Sequence, residues 1–292
     1  MDTAREIREF LATRRAKITP EQAGLPAFGN GNRRVPGLRR EEVAMLAGVS
    51  VDYYVRLERG QLAGASEGVL DGLCRALRLD DAERSHLSDL AAAQRRRPAR
   101  RTARRAGDTV PAGLKRVLRS MTGSPAFIRN GRLDILAVND LGRALYAPLF
   151  TAPAPTPVNI ARFQFLDPTS RGFFPDWNAS VNTTVSLLRT EAGRAPGDTD
   201  LTGLIGELVT RSEEFRVAWA RHNVRLHHTG RKAFRHPAIG EVTLDFDAME
   251  MPAHPGLALT TYSAEPGTPD HDALMLLASW AATGQERADT RS

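Results

Sequence analysis

The side chains of this sequence best placed to do chemistry are charged and hydrogen-bonding groups gathered early in the chain. Ser50, Val51, Asp52, Tyr53 and Arg56 crowd one short stretch, and Arg33, Arg34, Arg39 and Arg40 precede it. A guanidinium such as that of Arg56 can bridge guanine N7 and O6, and a carboxylate such as Asp52 can accept from the cytosine amino group. Tyr53 can reach a phosphate through its hydroxyl, with plain core packing as the alternative. Each of the four preceding arginines can donate to a phosphate. Every phosphate so neutralised releases counterion and steepens the salt dependence. Catalytic chemistry is not signalled: Gly-x-Gly-x-x-Gly, a phosphate-loop Gly-Lys-Ser/Thr and His-Glu-x-x-His are all missing, and Gly64-Ala-Ser-Glu-Gly68 has the Gly-x-Ser-x-Gly spacing only, its Ser66 reading as a helix N-cap, so no enzyme is expected. His222, His227, His228 and His236 lack the spacing of a helical zinc pair, and Cys74 is the single cysteine, so no metal site and no intrachain disulfide are expected.

These groups need elements to hold them. Val43, Ala44, Leu46 and Ala47 share one helical face, Gly48 supplies a permissive end, and Ser50 is a good N-cap for a second helix. On that second helix Tyr54 and Leu57 point inward, leaving Val51, Asp52, Tyr53 and Arg56 outside, and Gly60 ends it. Flanking helices are read over Arg5–Arg15, with Ile7, Phe10 and Leu11 inward, and after Ser66, with Leu70, Leu73 and Leu77. A capping box, Asp80 to Glu83, opens a fifth helix through Leu87 and Leu90.

The chain has 292 residues, 41% of them hydrophobic and 25% charged, which suits two globular domains. No stretch approaches a membrane span, and Met1–Phe10 is too charged for a secretory signal, so a cytoplasmic protein is expected, with no membrane partner. The net charge of +6 is localised: residues 1–93 and 111–292 each balance to zero, while residues 94–110 hold seven arginines against Asp108. A block of like charge stays extended, so the expected division is 1–93, an Arg-rich linker over 94–110, a second domain over 111–282, and a tail over 283–292.

In the second domain Pro111 opens a helix, and Pro125–Asn139 reads as two strands around Asn130-Gly131. Further strands fit Gly240–Phe246 and Leu257–Tyr262, with helices over Val181–Ala192, Leu201–Ser212, Glu213–Arg221 and Pro269–Trp280. Strands interrupted by a block of helices predict an α+β domain.

The run Leu46-Ala-Gly-Val-Ser-x-x-Tyr-Tyr-x-x-Leu-Glu-x-Gly60 resembles the lambda-repressor-type (XRE) helix-turn-helix, although Arg40 stands where that family usually has Gln. The Pro/Gly-rich insertion that begins with Thr19–Pro36 and ends Arg33-Arg-Val-Pro-Gly-Leu-Arg-Arg40 is similar to the MmyB-like subgroup. So are Asp134–Asn139, Asn159–Pro168, Phe174–Trp177, Arg211–Val224, Gly230-Arg-Lys-x-Phe-Arg-His-Pro237 and Tyr262–Gly267. The resemblance implies an all-α helix-turn-helix domain followed by an α+β, PAS-like ligand-binding domain with an apolar pocket. It implies a sequence-specific transcription regulator whose partners are double-stranded DNA and a small-molecule effector, fatty-acid-like in character, with no other cofactor. A homodimer is expected on half-sites about one turn, roughly 34 Å, apart. The alternative is a DNA-binding regulator whose C-terminal domain serves only dimerisation or protein partners.

Phe163, Phe165, Phe173, Phe174, Trp177, Phe215 and Trp219 are candidates for the lining of the ligand site, each with ordinary core as its alternative. If the ligand is a carboxylate, Arg162 or Arg221 can pair with it, and Asn139, Asn159 or His222 can donate hydrogen bonds. A structural ion pair with Asp167 or Asp176 is the competing reading of Arg162.

Overall fold

The structure, a computed structural model, describes residues 2–25, 37–95, 109–151, 156–223 and 229–289. Two compact units emerge: Met1–Ala99 with Val185–Gly203 and Val217–Leu226, and Arg100–Thr184 with Leu204–Arg216 and His227–Ser292. Compactness therefore divides the chain differently from sequence order, because two stretches of the expected second domain belong to the first unit.

The first unit is helical. It holds α1 (Thr3–Lys17), α2 (Arg40–Ala47), α3 (Val51–Glu58), α4 (Glu67–Ala76) and α5 (Asp81–Arg95). Asp2 caps α1 by accepting from Ala4 N at 3.0 Å. Between α2 and α3, Gly48 adopts φ +70°, a conformation that costs other residues energy, and Ser50 Oγ then accepts from Tyr53 N at 3.2 Å. Ser66 caps α4 in the same way, and Asp80 and Glu83 form the expected reciprocal box ahead of α5. Ile7, Phe10, Leu11, Val43, Tyr54 and Leu57 are buried together with Leu70, Leu73 and Leu77. Each such side chain contributes about 1.5–3 kcal/mol on leaving water. At Gly72 a Cβ would stand 2.5 Å from the Ala47 carbonyl oxygen, so α2 and α4 pack backbone to backbone.

The second unit is α+β. After α6 (Ala112–Ser120) come β1 (Ala126–Asn130), β2 (Ile135–Val138), α7 (Asp140–Leu145), α8 (Ala147–Thr151), α9 (Ile160–Leu166) and α10 (Ser170–Phe173). Then follow α11 (Trp177–Arg194), α12 (Thr199–Arg211), α13 (Glu213–Ala220), β3 (Thr229–His236), β4 (Gly240–Glu250), β5 (Leu257–Ser263) and α14 (Pro269–Asp289), of which α11, the start of α12 and α13 also supply the first unit. The strands form one antiparallel sheet in the order β2-β1-β5-β4-β3, the PAS-like arrangement expected. The β1–β2 hairpin is tied by Asn130, whose side chain accepts from Asp134 N at 3.0 Å and donates to the Asp134 carboxylate at 2.8 Å. Strand β3 was not foreseen, and α14 runs to Asp289, through most of the expected tail.

Period-two alternation gives the sheet two faces. Ala126, Ile128 and Leu257 pack with Leu118 of α6 on one. On the other lie Phe127, Thr260, Tyr262, Val242, Leu244 and Phe246, and with them Lys232, Phe234 and His236 of β3, as the pairings Lys232–Leu244, Phe234–Val242 and Phe246–Tyr262 require. Rings from the helical segments meet this second face: Tyr146 lies 5.5 Å from Phe234 and 5.6 Å from Phe127, and Phe173 lies 5.5 Å from Phe234.

Candidate functional site

In the first unit, the exposed side of α3 begins at its capped end. Val51, Asp52 and Arg56 are exposed, and Tyr53 is half-buried with the Arg56 guanidinium 5.2 Å from its ring centroid. The inward side is fixed by Tyr54 and Leu57 and by an ionic clamp. Glu58, 3% exposed, receives Arg15 Nε at 2.7 Å and is also bonded by Arg40 Nε. Burial would raise the Glu58 carboxyl, but Arg15 and Arg40 hold it below its usual range. Arg40 thus pairs within the unit, yet its side chain stays 56% exposed, leaving donors toward solvent. Arg39 is exposed and N-caps α2 through its backbone, donating from N to Glu42 Oε2 at 2.6 Å. Arg33, Arg34 and residues 96–108 of the expected 94–110 linker lie outside the described residues, while Gln94 and Arg95 end α5.

Eight of the expected ligand contacts do not fall in one unit. Asn139, Asn159, Arg162, Phe163 and Trp177 are in the second, and Trp219, Arg221 and His222 are in the first. The two asparagines are scaffold. Asn139 Oδ1 accepts from Ala126 N and Gly142 N, and its amide donates to the carbonyls of Met121 and Ser124. Asn159 caps α9 by accepting from Arg162 N, and donates to Arg132 O and to Asp134 Oδ1. Neither retains an amide hydrogen for a ligand. Arg162 Nε bonds Glu207 Oε2 at 2.8 Å, so its ion pair is real but its partner is neither of the two aspartates anticipated. Trp177 is half-buried beneath the Arg171 guanidinium, and Arg221 is exposed.

His222 and Trp219 belong to a buried ionic cluster. Arg189 is fully buried and donates to the Glu6 carboxylate and to the Trp219 carbonyl, with its guanidinium carbon 4.0 Å from the Trp219 ring centroid. The same guanidinium lies 2.9 Å from His222 Nδ1, and His222 Nε2 lies 3.3 Å from Glu9. Burial would push the Glu6 carboxyl up, but His222, His86 and Arg189 overcome it and hold the carboxyl far below its usual range. Glu6, Glu9 and His222 bring ligand atoms within 4.8 Å of one another, a spacing that a metal ion can bridge. Arg189 already supplies the cation there, so the cluster is charge-compensated from within.

Of the expected lining, Phe163, Phe173 and Phe174 share a ring layer, with Phe163 6.0 Å from Phe173 and 6.1 Å from Phe174. Sequence reasoning missed the group at the heart of that layer. Lys232 Nζ sits 4.5 Å from the centroid of Phe174, 5.5 Å from Phe234 and 5.6 Å from Tyr146, and donates to Tyr146 Oη at 3.3 Å. Tyr146 and Tyr262 share a hydroxyl hydrogen bond of 2.6 Å, and burial pushes the Tyr262 phenol up to about 12. His236, farther along β3, is satisfied by the Ala144 carbonyl and by Ala238 N, and burial lowers its pKa. The missed signal was the alternation Gly230, Lys232, Phe234, His236, which puts all four on one face of a strand.

A capped helix presenting polar groups beyond a glycine-cornered turn, on a chain that also carries a five-stranded α+β domain, defines a DNA-binding transcription regulator with a ligand-binding domain. Residues 5–87 match the model of a helix-turn-helix domain. Residues 110–277, more than half of the chain, match the MmyB-like transcription regulator ligand binding domain, and the chain belongs to that family. No curated protein matches it. Among the described residues no helix is long and apolar enough to cross a membrane.

Proposed function

We propose that this protein is a cytoplasmic, homodimeric regulator that reads a near-palindromic operator with α3 and senses a small apolar, fatty-acid-like effector in its second unit. The observation carrying the effector reading is the layer of rings on one sheet face, where Tyr146, Phe163, Phe173, Phe174 and Phe234 meet. Aromatic walls with few polar groups suit an apolar guest. Base readout falls to Val51, Asp52 and Arg56, with Tyr53, Arg39 and Arg40 toward phosphate. The effector acts by binding DNA-competent and DNA-incompetent arrangements with different affinity, a coupling typically about 1–3 kcal/mol.

The second reading, a C-terminal domain used only for dimerisation or protein partners, is favoured by α14. It exposes Leu276 (61%) and Trp280 (54%), one turn apart, and a partner surface would cover them. Native mass spectrometry of freshly purified protein, followed by denaturing extraction, separates the two. A dimer carrying a co-purified lipid supports the sensor. An apo dimer that also takes up no added lipid supports the scaffold and overturns the sensor.

A further inference from the structure

Among the described residues, the buried arginines and the half-buried Lys232 differ in what answers their charge. Arg189 and Arg14 have acids beside them, in Glu6 and Glu83. Lys232 has none: its nearest polar partner is the neutral Tyr146 hydroxyl, and its other neighbours are ring faces. An ammonium taken from water into such a setting normally finds an anion, because ring quadrupoles replace only part of its hydration. Lys232 lies on the inward face of β3 between Gly230 and Phe234 and opposite Leu244, with the ring of Phe246 packed over Gly230.

We propose that Lys232 is the head-group anchor of the effector site, pairing its ammonium with the single anionic group, a carboxylate by preference, of an otherwise apolar ligand that lies along the rings of Tyr146, Phe174 and Phe234. The inference rests on the reading of the second unit as an effector site and adds the charge of the effector and the atom that recognises it. It also displaces the two arginines first considered. The charge of Arg162 is already answered by Glu207, and Arg221 is exposed and belongs to the other unit. Burial draws the amine down to about 8, so near neutral pH it is still charged and its charge is easily lost on the alkaline side.

The test uses the full-length protein and a matched set of straight-chain amphiphiles, dodecanoate, dodecyl phosphate, dodecanol and dodecylammonium, followed by calorimetry or tryptophan fluorescence. At neutral pH, dodecanoate is expected to bind at least about tenfold more tightly than dodecanol, the scale of one charge-assisted hydrogen bond, with dodecylammonium weakest. Lys232→Met is expected to erase the difference between dodecanoate and dodecanol. A second measurement needs no variant. In the wild-type protein dodecanoate affinity should be flat below about pH 8 and fall above it, by at most about tenfold per pH unit, while dodecanol affinity stays level. Dodecyl phosphate outbinding dodecanoate would keep the anchor and reassign its preferred anion. The proposal is overturned if dodecanol binds the wild type as tightly as dodecanoate, or if the preference survives in a folded Lys232→Met. Failure of every amphiphile, with shorter and longer homologues included, would sink the effector reading itself.

Discussion

Replacing Lys232 by methionine should make the ligand-free protein more stable, although it removes a charged group with four favourable contacts. The lowering of the amine from 10.5 to about 8 corresponds to a cost of about 3 kcal/mol for keeping it charged at neutral pH. Attraction to the faces of Phe174, Phe234 and Tyr146 offsets about 0.5–2 kcal/mol of this. A net gain of about 1–3 kcal/mol is therefore expected at neutral pH, since methionine matches the stem in length and needs no partner. The sign of the pH dependence follows from linkage. Between about 8 and 10.5 the unfolded chain binds more protons at this site than the folded one, so wild-type stability rises with pH across that window. The penalty is complete below about 8 and gone above 10.5, where both states are neutral at this site. Urea unfolding of delipidated wild type and Lys232→Met, at neutral pH and again near pH 10, reads both effects. A variant less stable than wild type at neutral pH, or a difference that does not shrink with rising pH, would refute the reasoning.

Two further predictions concern the first unit. Arg56→Ala should lower affinity for the cognate operator by about 1–3 kcal/mol and relax preference at one base pair, whereas Tyr53→Phe should weaken binding evenly across sequences if its hydroxyl meets phosphate. Electrophoretic mobility shifts on a substituted operator series distinguish the two patterns. Arg189→Met should strip the fully buried Glu6 carboxylate of its cation and cost about 3–5 kcal/mol. Because the Glu6 carboxyl is held below its usual range, this cluster stabilises the fold fully at neutral pH and loses its contribution as the solution turns acidic. Wild-type stability should fall more steeply on acidification than that of a Glu6→Gln, Arg189→Met double variant.

What could be read from the sequence was whatever rests on local chemistry. The turn between α2 and α3 announces itself through Gly48 and Ser50, and the α5 entrance through Asp80 and Glu83, because each depends on residues a few positions apart. Strand β3 was illegible for the opposite reason. Arg231, Lys232 and Arg235 look like a solvated charged loop unless alternate positions are separated, and only then does a lysine stand out on the buried face. Asn139 and Asn159 looked like ligand donors because polar side chains near aromatic runs invite that reading. They are caps whose partners lie mostly in segments well before them, so their saturation emerges only in three dimensions. The Glu6–Arg189–His222 cluster joins residues separated by 183 positions and had no local signature at all.

That cluster also bears on how such a protein can be cut and recombined. A helix-turn-helix ending at the linker looks like a portable cassette, to be expressed alone or grafted onto another sensor. Yet α1 carries Glu6 and Arg14, and the groups that answer them include Arg189, itself held by the Trp219 carbonyl, and the His222 carbonyl, all within the stretch matched by the ligand-binding model. A fragment cut at the linker keeps a buried acid and loses its cation. A chimaera needs the matching arginine and histidine transferred with the reading head. The heritable module is thus larger than the motif, and its seam lies inside what the chain order presents as a single sensor domain.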